Sequence, residues 1–166
     1  MGGAPKGQLV RDGETLVRRW RRLFEEVGLR PLLVGRNTAY DTEGLETLED
    51  AVSDRGPLGG LVTLLERAGA GTAVAVACDM PYVSIELLRA LIDAPAAPAV
   101  AVRRGGFWEP LFARYDAARV LPIARARLEA GAFGLQGLLD EAGAVALDPK
   151  DRAAELDDWD TPGDLC

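Results

Sequence analysis

Apolar residues at Leu16, Val17, Trp20, Leu23, Phe24 and Val27 recur three and four positions apart, the period of a helix that buries one face. Thr15 stands where such a helix needs a side-chain oxygen for its free N–H groups, and Gly28 stands where it stops. The spacing therefore predicts an amphipathic helix from Leu16 to Val27. Its opposite face carries Arg18, Arg19, Arg21 and Arg22, read as a solvated surface rather than an anion site.

The pattern then changes to short apolar runs separated by helical stretches. Pro31-Leu32-Leu33-Val34 reads as a buried strand opening into Gly35-Arg36-Asn37, and Thr47-Leu48-Glu49 as a further short strand. A helix follows from about Pro57, with Leu58, Leu61, Val62 and Leu65 facing inward. Ala73-Val74-Ala75-Val76-Ala77 is apolar at every position, as is Ala99-Val100-Ala101-Val102; both read as strands covered on two faces. Between them Leu87, Leu88, Leu91 and Ile92 mark a helix capped near Ser84. Beyond lie a strand over Leu111 to Tyr115, a helix over Asp116 to Ala130 interrupted near Pro122, and a helix over Leu135 to Ala142. Strands alternating with helices predict one α/β domain, a Rossmann-like three-layer fold with a mostly parallel sheet. Ligands of such sheets collect at the carboxyl ends of the strands, which here directs attention to Gly35 and Asp79.

Composition narrows the chemistry. A length of 166 residues with 48% hydrophobic content suits one core. The net charge of -7 argues against a general affinity for nucleic-acid backbone. No apolar run is long enough to span a bilayer, and the N-terminus lacks the apolar core of a signal peptide; a cytoplasmic protein is expected, with Cys78 and Cys166 as thiols. The chain has no histidine, so imidazole zinc sites, Ser-His-Asp hydrolysis and histidine acid–base catalysis are excluded. Carboxylates, lysine and metal remain.

Asp79 in Cys78-Asp79-Met80-Pro81 emerges where an apolar strand opens into its loop, a place for one of the one or two carboxylates that Mg²⁺ uses; a cap for the helix at Ser84 is the competing role. Gly2-Gly3-Ala4-Pro5-Lys6-Gly7 offers amides and an ammonium for polyphosphate, or is a plain glycine-rich terminus. Asp50 precedes Gly56-Pro57-Leu58-Gly59-Gly60, whose glycines allow close approach of a flat ligand or simply make a turn. Asp160-Thr161-Pro162 offers either a second metal carboxylate or a helix cap.

In this order the segments resemble the molybdenum cofactor guanylyltransferase family, within the small-molecule nucleotidyltransferases. Met1-Gly2-Gly3-Ala4-Pro5-Lys6 is similar to the family's Arg-Met-Gly-x-x-Lys, and Glu49-Asp50, the Gly56–Gly60 segment and Cys78-Asp79-Met80-Pro81-Tyr82 follow in place. Pro110-Leu111-Phe112-Ala113-Arg114-Tyr115 matches its Pro-Leu-x-Ala-x-Tyr, and Asp160-Thr161-Pro162 ends the series. The resemblance implies a nucleotide-diphospho-sugar transferase type of fold, GTP and molybdopterin cofactor as substrates, and Mg²⁺ as cofactor. It implies that Lys6 contacts the triphosphate, that Asp50 and Gly60 help bind the nucleotide, and that Asp79 binds both nucleotide and metal.

Two departures accompany the match. The family carries an N-terminal strand and a Leu-Ala-Gly-Gly-x-Ser-x-Arg loop before its Met-Gly, and Met1 begins after that point. A sheet without that strand is expected to fold with a gap and to bind nucleotide poorly. A coding start upstream of Met1 is the expected explanation, since Ala73–Ala77 would otherwise present an open edge. A polar family position also falls on Gly35, where Asn37 offers a substitute. Cytidylyl or other nucleotidyl transfer to a phosphorylated small molecule, and a non-catalytic nucleotide-binding relative, are the alternative readings.

Overall fold

Three helices begin where a side chain captures one of their first N–H groups. In the computed structural model, which describes residues 6–35, 38–49 and 55–159, a 3-10 turn (Lys6–Gln8) leads into a small hairpin of β1 (Val10–Arg11) and β2 (Glu14–Thr15), then α1 (Leu16–Glu26). Next come β3 (Leu32–Val34), a 3-10 turn (Thr38–Glu43), β4 (Glu46–Leu48), α2 (Gly56–Ala68), β5 (Thr72–Val76) and α3 (Ile85–Ile92). The chain continues through β6 (Ala99–Arg104), β7 (Phe107–Asp116), α4 (Ala117–Glu129), α5 (Leu135–Ala142), β8 (Val145–Leu147) and a 3-10 turn (Lys150–Leu156). Thr15 accepts from the Arg18 N–H at the start of α1, Ser84 from Leu87 at α3, and Asp116 from Arg119 at α4, each cap removing one orphan donor.

The central sheet has the order β5-β7-β6-β8. β7 runs antiparallel to both β5 and β6, while β8 runs parallel to β6. Three of the four strands therefore share one direction, as the mostly parallel sheet of the sequence reading requires, but β7 is inserted among them against that direction. The reason is the Gly105-Gly106 turn, both residues at positive φ, which joins β6 to β7 as a tight hairpin. β3 and β4 pair in parallel as a separate ribbon.

Side-chain size along the strands sets the layers. Ala73, Ala75, Ala99, Ala101 and Ala113 share one buried cluster with Leu58, Leu61, Val62 and Leu65 of α2 and with residues of α4 and α5. Val100, Val102 and Phe112 belong to a second cluster with α1 and α3, against which Val74 and Val76 also pack. Alternation along a strand sends neighbours to opposite faces, so small residues face one pair of layers and branched ones the other. Alanine on the first face lets the helices approach closely, and Tyr115 and Trp108 fill the space that remains.

The arginine face of α1 is not simply solvated. Arg18 pairs with the buried Glu43 at 2.8 Å, Arg21 donates to the Glu43 carbonyl at 3.1 Å, and Arg22 reaches Glu14 at 3.2 Å. Arg19 donates to the Val83 carbonyl. These contacts fasten α1 to the turn before β4 and to the loop before α3.

One expectation differs in detail: α4 runs unbroken with Pro122 inside it rather than interrupted. α2 begins at Gly56, close to the expected start at Pro57, a residue suited to a first helical turn, whose N–H groups have no intrahelical partner. β1, β2 and β8 are two or three residues long, too short to leave a periodic signal. No described helix is long and apolar enough to cross a membrane.

β7 also breaks register opposite Ala101 to Arg103 of β6, bulging at Glu109–Leu111 as strands do beside sites. Pro110, which has no N–H to give a ladder, sits in the bulge, and its carbonyl accepts from the Tyr115 hydroxyl at 2.7 Å. Tyr115 is fully buried, and burial pushes its phenol above the ordinary value. Tyr115→Phe is expected to cost about 1–2 kcal/mol by stranding that carbonyl, read as a lower urea midpoint at unchanged slope. Ala101→Leu, overfilling the face beneath α2, is expected to cost about 1–3 kcal/mol in the same measurement.

Candidate functional site

Beyond the end of β5 the chain turns through Ala77, Cys78 and Asp79. Here the Lys6 ammonium meets the Asp79 carboxylate at 2.6 Å, across 73 positions of sequence. The Asp79 side chain is only 14% exposed and that of Lys6 is 47% exposed, so the carboxylate is sheltered while the lysine side chain is half-exposed. The helix cap that sequence alone allowed for Asp79 is supplied by Ser84 itself. That leaves the Asp79 carboxylate directed at a cation.

Several contacts hold this pair in place. The Gly7 N–H donates to the Tyr40 hydroxyl at 3.1 Å, and that hydroxyl also interacts with the Cys78 thiol. A Cβ on Gly7 would come within 2.6 Å of a Val17 methyl and 2.8 Å of the Tyr40 oxygen, so only glycine lets the turn sit this close. On the other side the Trp159 N–H donates to the Asp79 carbonyl at 3.0 Å. The Trp159 indole N–H donates to the Tyr82 hydroxyl at 2.8 Å, with the two rings edge to face at 6.2 Å. Arg11 lies 4.6 Å over the Tyr82 ring and donates to the Pro81 carbonyl. Asp79 is thus fixed by backbone and ring contacts that leave its carboxylate free of them.

Burial pushes the Cys78 thiol up, and the nearby Asp79 charge adds to the effect; the thiol stays protonated and is no nucleophile near neutral pH. Burial likewise raises the Tyr40 phenol, which stays neutral.

A cleft of about 770 Å³ opens between β3 and β5, with Leu32, Val34, Val74 and Val76 on its walls and Gly60 and Leu61 of α2 beside them. Gly35, Tyr40, Cys78, Gly56 and Pro57 line it as well. The residues that end β3 and β5 and start α2 therefore border one space, with Cys78 joining it to the Lys6–Asp79 pair.

Of the residues selected from sequence, Lys6 and Asp79 come into direct contact, and Gly60 lines the adjoining cleft. Gly2, Gly3, Asn37, Asp50 and Asp160 lie outside the described residues, as do Thr161 and Pro162. Sequence alone left open whether Arg104 and Trp108 belong to an acceptor site or to a surface loop; both have structural partners. The Arg104 guanidinium pairs with Glu109 at 2.7 Å and Asp157 at 2.6 Å, and donates to the Ala153 and Leu156 carbonyls at 3.2 and 3.0 Å. One side chain thereby anchors the segment that carries Trp159 to Asp79. The nearby Trp108 belongs to α5 instead: its indole N–H donates to Asp140 at 2.7 Å, and its backbone exchanges two hydrogen bonds with Gln136. No short-range pattern marks either role, since the partners lie 28 or more positions away apart from Glu109.

The described site offers one sheltered carboxylate, Asp79, compatible with a divalent cation of the kind that takes one or two carboxylates and completes its shell with water and phosphate oxygens. Among the described residues no three acidic or thiol side chains converge, and the Asp79 carboxylate already holds a positive charge at contact distance.

The chain is similar to several proteins over nearly all its length. It is 32% identical over 171 residues to a molybdenum cofactor guanylyltransferase of Pseudomonas putida, covering 99% of this chain and 88% of that protein. A molybdenum cofactor guanylyltransferase of Pseudomonas entomophila is 30% identical over 169 residues, covering 98% and 87%. Among solved structures, 2-C-methyl-D-erythritol 4-phosphate cytidylyltransferase from Thermus thermophilus superposes with a TM-score of 0.67 at 18% identity, covering 98% of this chain and 91% of that one, a likeness of fold. The model of the MobA-like NTP transferase domain matches residues 1–145, and on that match the chain belongs to the MobA-like NTP transferase family.

Proposed function

We propose that the protein transfers GMP from GTP to the phosphate of molybdopterin cofactor and releases pyrophosphate. The observation that carries this reading is the Lys6–Asp79 pair at 2.6 Å, at the carboxyl end of β5, in a chain whose relatives are named guanylyltransferases. The acceptor phosphate is already ionised near neutral pH, so its oxygen attacks the α-phosphorus of GTP without a protein base. This suits a chain that has no histidine. A new P–O bond forms to the α-phosphorus as the bond to the β-phosphate oxygen breaks, and the electron pair leaves with pyrophosphate.

In this reading Lys6 neutralises negative charge on the triphosphate, and Asp79 would hold a divalent metal, which when bound would supply Lewis-acid polarisation of a phosphate. Gly60, in the first turns of α2 beside the cleft, gives a nucleotide a surface without side chains. Asp50 is assigned to the nucleotide on the family resemblance alone. The segment anchored by Arg104 keeps the Asp79 turn rigid, and alignment of this kind supplies much of the rate in phosphoryl transfer.

Thermal unfolding titrations separate the choices of base. Bound with Mg²⁺ at about a hundredfold excess over its dissociation constant, GTP is expected to stabilise the protein by about 2.7 kcal/mol, more than CTP, ATP or UTP. A larger shift with CTP would replace guanylyl by cytidylyl transfer, and no shift with any nucleotide would leave a binding relative of another kind. In a transfer assay that follows pyrophosphate, Asp79→Ala is expected to lose at least about 100-fold in turnover, with an unchanged far-ultraviolet spectrum. Undiminished turnover in that variant would remove Asp79 from the mechanism.

A further inference from the structure

Without substrate, Asp79 is occupied by the ammonium of Lys6, at the contact distance of a charge-assisted hydrogen bond. We infer that Lys6 acts as a resident counter-cation that must leave Asp79 before a divalent metal can bind, and that this exchange makes metal and nucleotide binding depend on each other. The inference rests on the reading of Asp79 as a metal ligand and adds an order of events to it.

Charge and exposure carry the argument. A bare divalent ion arriving at Asp79 meets an ammonium already seated on the carboxylate. The two cations cannot share the site without repulsion, so Lys6 must give up its contact with Asp79. A nucleotide arriving without metal draws Lys6 away through its phosphates, and then leaves the Asp79 carboxylate facing those phosphates with no cation between them. Only the two together satisfy every charge: the metal takes the carboxylate while Lys6 takes the phosphates.

The structure permits the exchange. The Asp79 backbone is held by the Trp159 amide on its carbonyl, and its side chain is only 14% exposed, so the turn that carries the carboxylate stays in place when Lys6 moves. Lys6 is tethered through Gly7 to Tyr40, which fixes the backbone, while its half-exposed side chain can swing. Coupling of this kind is reciprocal: the factor by which metal strengthens nucleotide binding equals that by which nucleotide strengthens metal binding. Because the pair is partly exposed, its release is expected to weaken binding of free metal by about fivefold.

The test uses Mn²⁺ as probe, with the full chain and no acceptor present, so that binding is read without turnover. Free Mn²⁺ is titrated against the protein by water-proton relaxation, and GTP by calorimetry with and without Mn²⁺. Lys6→Gln is expected to bind free Mn²⁺ about fivefold more tightly than the unaltered protein, a gain that disappears in the double variant with Asp79→Asn. The factor by which Mn²⁺ strengthens GTP binding should fall in Lys6→Gln. If Lys6→Gln binds free Mn²⁺ no more tightly while Asp79→Asn still weakens GTP binding in the presence of Mn²⁺, the exchange is overturned and the metal-site reading stands. If Asp79→Asn leaves binding of both Mn²⁺ and GTP unchanged, the reading of Asp79 falls, and the exchange with it.

Discussion

The alternation of alanine with larger apolar residues along β5 and β6 is the constraint on which the remaining structure depends. Alanine at positions 73, 75, 99 and 101 faces α2, α4 and α5, and valine at 74, 76, 100 and 102 faces α1 and α3. Helix backbones approach a floor of methyl groups more closely than one of branched chains, so the two faces stand at different depths from their helices. A shift of one residue in the register of either strand would exchange the two faces and leave both layers misfilled. With the register held, the carboxyl ends of β5 and β6 lie at a defined height, and the turn after β5 presents Asp79 there.

The site then follows from what is brought to that end. β7 leaves its regular pairing with β6 in a bulge stabilised by the Tyr115–Pro110 hydrogen bond, while it stays in register with β5 up to the turn that carries Asp79. The Pro-Leu-x-Ala-x-Tyr pattern of β7 is thereby explained without reference to substrate: proline occupies the bulge, alanine faces the helices and tyrosine closes the bulge. From the far end of the chain, Arg104 gathers Asp157 and two backbone carbonyls, which delivers Trp159 to the Asp79 carbonyl. Asp79 is therefore positioned by residues from three separated stretches of chain.

Much of the fold was legible because it depends on local patterns. Thr15 and Ser84 cap helices at the positions their side chains suggested, and α5 spans Leu135–Ala142 as its periodicity required. The reversed direction of β7 was not legible, because an apolar strand reads alike in either direction and Gly105-Gly106 signals only a turn. Three of the four sheet strands were found as apolar runs, while β8, at three residues, carries no detectable period. In the site, Asp79 was legible from its place after an apolar run. Lys6 was singled out by its glycine-rich setting and, through family resemblance, as a triphosphate contact; its pairing with Asp79 and the roles of Arg104, Trp159 and Tyr40 depend on partners brought together only by folding.

Gly7 shows how narrow the geometry of the pair is. The 3-10 turn that carries Lys6 lies against α1 at Val17 and against Tyr40, so closely that one methyl group on Gly7 would meet both. Were the turn displaced outward by the ångström that such a methyl requires, the 2.6 Å contact between Lys6 and Asp79 would lengthen beyond a charge-assisted hydrogen bond. The amine could then reach the carboxylate only by extending further into solvent, where the attraction weakens steeply. A glycine beside the lysine is thus required by the distance between two packed surfaces rather than by backbone flexibility.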